Sequence, residues 1–391
     1  MGKKTSIYEN GLIWFGAGVS IAEILTGTYY ASMDFKSAIL AIVIGHIAGF
    51  ILMSLSGLIG ARTGLSAMEA TKLSFGKIGG IFFAILNFLQ LVGWTAIMIY
   101  DGAISSADLF GRGNKIWALL IGILIIVWIA VGITNLGKIN TVSMIALFVL
   151  TILMSRKSFA SNLGLGSQVI SDVSAEALSF GGAVELAIAM PMSWLPLISD
   201  YTSKAEKAEK ATWISAGIYS LVSLWMYIIG LTGAMSTGES TLSAIFSYSG
   251  IGVLAIIIII LSTVTTTFLD AYSAGISFEA IKQNADGKKV SIIVSVVGII
   301  LAMLYPMDDI TNFLYLIGSV FAPMIAVQIA DFFIKNEKSK VDEKVNIISW
   351  LLGFVFYRIL LKVDVAIGAS ILSVILTIIV TLILRKIISR K

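Results

Sequence analysis

The chain has no cysteine, four prolines and one histidine, and charged residues make up only 13% of its 391 positions. Without cysteine it has no disulfides, cysteine-ligated metals or thiol nucleophiles. No Walker loop, zinc-ligand spacing or nucleophile elbow occurs, so ATP is not its energy source and no enzyme motif is visible. The scarcity of charge excludes a soluble protein of this length, whose surface would need far more. Basic residues are spread through short loops, so the formal net charge of +4 is no signal for nucleic acid. What fills the chain is hydrophobic: 58% of residues, with a mean hydropathy of +0.96. The sequence is that of a polytopic membrane protein.

Apolar stretches long enough to cross the ~30 Å hydrocarbon core recur at 12–30, 37–59, 79–107, 116–133, 139–154, 181–199, 212–235, 250–277, 290–305, 310–334, 346–361 and 365–384. They predict about twelve transmembrane helices in an all-α fold, the fifth being the shortest. The connection 155–180 is expected to hold a short surface helix, and 335–345 to be charged and solvated. Lysine and arginine test the count. With the N-terminus inside, twenty of the 27 fall in inner segments and six in outer ones. This bias supports twelve helices with both termini cytoplasmic, in a plasma or inner cell membrane. No cleavage site follows the first apolar stretch, which reads as a retained helix.

Charge inside the spans is rare, and it marks the site. Glu23 lies near the centre of the first span, where a carboxylate costs roughly 3 kcal/mol on insertion scales and faces a bundle interior or a cavity. Gly16, Gly18, Ser20 and Gly27 around it loosen the helix. Span six carries Pro191 and Pro196, each removing a helical hydrogen bond. Spans one and six are the first helices of two antiparallel halves, and paired interruptions in corresponding spans point to a transporter's midplane site. In span three, Asn87, Gln90, Trp94 and Asp101 share one helical face, where tryptophan and amides suit a flat heteroaromatic ligand. In span eight, Thr263, Thr266, Thr267 and Asp270 stand at i, i+3, i+4 and i+7. Their hydroxyls are hard ligands for a small cation such as Na⁺, although such hydroxyls also bond their own helix backbone. His46 reads as a satisfied interior histidine, with a proton-relay role as the alternative.

These residues resemble the nucleobase–cation symport family, which contains cytosine, hydantoin and allantoin permeases. The specific stretches are Gly57–Ser66 with Leu73–Gly76, Gln90–Trp94, Ser199–Thr202, Asp270–Gly275 and Ala322–Phe333. The first helix, Val19–Thr28, is most similar to the branch described as hydroxymethylpyrimidine (thiamine-precursor) transporters. The resemblance implies the LeuT-type fold: one transporter domain over 1–391, with inverted five-helix repeats at about 11–155 and 181–334 and additional helices at about 346–384. It places Glu23, Trp94, Trp194 and Asp270 at substrate positions. Thr266 and Thr267 fall near a Na⁺ position, with backbone carbonyls near Val19 and Ala22. Two departures stand out. Ser203 replaces an arginine common after the Asp-Tyr-Thr motif, and carboxylates at 23 and 270 replace amides or hydroxyls of some relatives.

The expectation is a secondary transporter, not an enzyme, importing a pyrimidine-type heterocycle, hydroxymethylpyrimidine first, by Na⁺ or H⁺ symport. Gln90 joins Glu23, Trp94, Trp194 and Asp270 as a substrate candidate. Val19, Ala22, Thr263, Thr266 and Thr267 are the cation candidates. No cofactor is expected, and the partners are the heteroaromatic substrate and the bilayer around a monomer. The rivals are a cytosine or other nucleobase permease, an uncoupled facilitator or channel, and an intramembrane enzyme. Glu23 is a candidate proton carrier as well as a substrate ligand.

Overall fold

A serine and a short glycine-rich stretch set the first break of the chain. In the computed structural model, which describes residues 4–132, 137–162, 178–251, 254–334 and 343–388, α1 (Ile7–Gly18) stops just after Gly18. Ser20 then caps α2 (Ile21–Thr28), its hydroxyl accepting from the Ala22 N–H at 3.2 Å, and the two segments bend by 44°. Asp34 caps α3 (Phe35–Thr63), which ends at the left-handed Gly64. The helix α4 (Ala67–Phe110) is broken at Gly76, where φ is 68° and ψ is −178°. Only glycine adopts that conformation without strain, and the Glu343 carboxylate fills the space where a side chain would start. Gly76→Ala should therefore destabilise the protein by about 1–3 kcal/mol. An unchanged melting temperature would argue against this backbone geometry.

The other helices follow in order: α5 (Asn114–Val131), α6 (Gly137–Asn162), α7 (Phe180–Ser193) and α8 (Ile198–Thr202). Between α7 and α8 the chain turns through Trp194–Leu197, with Pro191 in the last turn before it and Pro196 within it. Then come α9 (Ala208–Thr237), α10 (Leu242–Ser249), α11 (Leu254–Ile281), α12 (Gly287–Leu304), α13 (Ile310–Ile329), α14 (Glu343–Leu360) and α15 (Ala369–Ile388). Both interruptions read from glycine and proline are present. Among the described residues, nine helices are long and apolar enough to span a membrane, or ten with α1 and α2 as one broken span. The two other expected spans also fall on helices, 139–154 on the shorter apolar Thr141–Arg156 and 346–361 on α14. The expected surface helix within 155–180 and the charged 335–345 fall mainly outside the described residues.

Packing separates the helices into two groups. In one, α3 packs on α7 and α9, while α1 and α2 both lie on α9. In the other, α4 packs on α11, with α12 and α5 completing the layer. Small residues let the first group close up: Gly45 meets Ala187, Gly49 meets Pro191, and Gly230 meets the Ile24 carbonyl. Outward-facing Leu119, Val142, Ile145, Ile293 and Ile379 are exposed, as lipid-facing side chains are.

Candidate functional site

The two broken helices meet α4 and α11 at a narrow pocket lined by Ala22, Glu23, Trp94, Trp194, Thr266 and Asp270. Four of the five expected substrate residues are thus brought together from separate spans. Glu23 is 2% exposed and its carboxylate is held on both oxygens. The Tyr219 hydroxyl donates to Oε1 at 2.5 Å and Ser223 lies 2.8 Å from Oε2. Asp270, from α11, has no hydrogen-bond partner among the described residues and faces the same space. The Trp94 Nε1–H is buried and also unpartnered.

Aromatic rings build the wall. Trp14 packs edge-on against Trp194 at 5.3 Å, and both touch Tyr219, at 5.9 and 5.8 Å. Trp94 is braced by Phe313 at 5.3 Å. Such perpendicular contacts hold ring planes in place, so each tryptophan offers a fixed surface.

Gln90 is the exception among the substrate residues. It lies behind Ser193 rather than in the lining: its Nε2 donates to Asn87 Oδ1 at 2.7 Å and to the Ser193 carbonyl at 3.4 Å. Asn87 in turn donates to the Pro196 carbonyl at 3.1 Å and to Ser277 at 2.8 Å. These amides fasten the α7–α8 break to α4 and α11. Spacing alone grouped them with Trp94, because one helical face is wide enough to serve a pocket and a packing seam together. Asp101 is buried in α4 but does not line the pocket.

The cation candidates divide in the same way. Thr266 donates to the Gly16 carbonyl at 3.3 Å, joining α11 to the end of α1. Thr267 is buried with its hydroxyl unpartnered. Thr263 packs against Gly102 of α4, its buried hydroxyl likewise unpartnered, and is not in the pocket lining. Three residues of helix rotate a side chain by about 60° short of a full turn, enough to send Thr263 and Thr266 to different neighbours. Val19 stands at the break itself, and the Ala22 carbonyl accepts from the Thr26 hydroxyl at 2.7 Å. Hydroxyl and carbonyl oxygens around the break are hard donors of the kind Na⁺ takes, and Thr266 with the backbone of the break supplies them.

Sequence reasoning missed Trp14, Tyr219 and Ser223. A signal for two of them was present, since Ser215, Tyr219 and Ser223 repeat every four residues along α9. His46, read as an interior histidine, is fully engaged: Nδ1 lies 2.8 Å from the Ile42 carbonyl and Nε2 2.8 Å from the Ser223 hydroxyl.

A sequence model of the family described as permease for cytosine/purines, uracil, thiamine and allantoin matches residues 2–349. The cytosine permease of Escherichia coli strain K12 is 25% identical over 330 residues, covering 84% of this chain and 77% of that one. Among solved structures, Mhp1, a nucleobase-cation-symport-1 family transporter in a closed conformation with bromovinylhydantoin bound, superposes with a TM-score of 0.73. It is 18% identical, and the match covers 98% of this chain and 91% of that one. A Na⁺-coupled sialic acid symporter gives 0.74 at 14% identity, covering 98% and 90%. At these identities the structures share the fold.

Proposed function

We propose a function on one premise: the chain belongs to the family of permeases for cytosine/purines, uracil, thiamine and allantoin. It is a membrane transporter and not an enzyme. Its substrate is a 4-aminopyrimidine, hydroxymethylpyrimidine first, imported across the cell membrane in symport with Na⁺ or H⁺. The observation that carries this reading is one pocket at two broken helices, where Glu23 and Asp270 meet the Trp94 and Trp194 rings. A flat ring stacks on a tryptophan, and a carboxylate accepts from its exocyclic amine. Gln90 contributes by positioning the helix break.

Coupling to Na⁺ would use the Thr266 and Thr267 hydroxyls with backbone oxygen near Val19 and Ala22, a site that closes only when α11 and the first broken helix meet. Inverted repeats at about 11–155 and 181–334 would then work as a scaffold containing α4 and α11 and a rocking group containing α1–α3, α7 and α9. Both termini would be cytoplasmic. Cytosine is the second substrate reading, favoured by the identity to the Escherichia coli permease.

Purified protein in liposomes decides among these. Uptake of labelled hydroxymethylpyrimidine is expected to exceed that of cytosine and to rise with an inward Na⁺ or proton gradient. Uptake of neither compound would sink the substrate reading. Uptake indifferent to both gradients would sink symport and leave a facilitator.

A further inference from the structure

His46 and Ser223 lie outside the pocket, yet they govern what Glu23 offers to it. The His46 Nδ1 faces the Ile42 carbonyl, and a carbonyl oxygen only accepts, so Nδ1 carries a hydrogen. The ring is held by an edge contact to Tyr227 at 4.8 Å, and the Tyr227 hydroxyl is itself fixed on the Leu186 carbonyl at 3.2 Å. Nε2 therefore points at Ser223, whose hydroxyl also sits 2.8 Å from Glu23 Oε2. Ser223 has one hydrogen for these two neighbours. If it points to Glu23, Nε2 must donate to the serine oxygen. If it points to Nε2, the hydrogen between Glu23 and Ser223 belongs to the carboxyl group.

Both arrangements end alike. The hydrogen on the Oε2 side is used within the Glu23–Ser223–His46 chain, while Oε1 accepts from Tyr219. Glu23 is left with lone pairs alone for the pocket.

We propose that His46 and Ser223 are specificity-determining positioning residues, which hold Glu23 as an acceptor toward the ligand and so select a heterocycle edge bearing N–H donors. This rests on the aminopyrimidine reading and sharpens it. The ring nitrogen beside such an amine is an acceptor and needs a donor from elsewhere. The unpartnered Trp94 Nε1–H at the pocket wall is one. An oxo group in place of the amine sets acceptor against acceptor at Glu23, and a site built for a hydrogen bond rejects the ligand that cannot make it.

His46 is the sole histidine, so isotope-labelled histidine gives the NMR signals of one ring. The expected result is a protonated Nδ1 and an Nε2 signal that moves in Ser223→Ala and, through the serine, in Glu23→Gln. An unprotonated Nδ1, or an Nε2 signal unmoved by Glu23→Gln, overturns the proposal. Transport gives a second reading. Ser223→Ala and His46→Ala should lower the preference for an amino over an oxo pyrimidine by about tenfold, through KM. His46→Gln, which keeps a polar group toward Ser223, should recover most of it. A preference unchanged in variants that still transport also overturns it. A protein that carries neither ring fails the transport reading and leaves the NMR measurement decisive.

Discussion

Glu23→Gln is expected to raise the KM for an amine-bearing pyrimidine by roughly 10- to 100-fold, the effect of losing one charge-assisted hydrogen bond. The substitution keeps the side-chain shape and changes what each terminal atom can do. In the protein, Tyr219 donates to one oxygen and Ser223 lies against the other. A glutamine has one acceptor oxygen: with that oxygen toward Tyr219, its N–H₂ faces Ser223, whose own hydrogen must then go to His46. The pocket meanwhile gains a donor where the substrate amine also donates. Uptake and ligand binding in detergent measure the effect, with the melting temperature as a check that the fold survives. An uptake within twofold of the parent would remove Glu23 from the substrate site.

Gly230→Leu should damage the fold itself. Gly230 of α9 lies against the Ile24 carbonyl and Gly27 of α2, and Gly27 lies against the Tyr227 backbone. These contacts set the height of α2 on α9, and so the meeting of Glu23 with Tyr219 and Ser223. The obstacle to a larger side chain is backbone, which cannot change rotamer, so the two helices must part. Overpacking in a tight core costs about 1–3 kcal/mol or more. A lower melting temperature and a smaller yield of monodisperse protein are expected. Gly217→Ala is the control, because the Phe50 ring there is at an ordinary 3.7 Å and alanine favours the helix. Equal stability of the two variants would show that the α2–α9 contact is looser than described.

Much of the site was legible because its signals are local. Glu23 in an apolar span and two prolines in span six each stand out against their own neighbours, and each falls where the chain breaks. Asp270 stood out by its spacing from the span-eight threonines and Trp194 through the family resemblance, and both line the pocket with Trp94. Gln90 and Thr263 lie outside the pocket lining for one reason. A helical face subtends a wide arc, and spacing does not say which part of it meets a cavity and which meets the next helix. Gln90 turned out to be held by Asn87 and Ser193, and Thr263 to pack on Gly102.

The sequence by itself determined the class of protein, the positions of its membrane helices, the two interruptions and the buried carboxylates. Hydropathy, proline, glycine and charge act over a single turn or a single span, so one segment suffices to read them. Only the tertiary structure decided who stands next to Glu23. Tyr219 and Ser223 are about two hundred residues away along the chain, and His46 reaches it only through Ser223. Their meeting depends on the rotation and height of three packed helices, α2, α3 and α9. That is fixed by close contacts such as Gly230 on Ile24, which no segment carries alone.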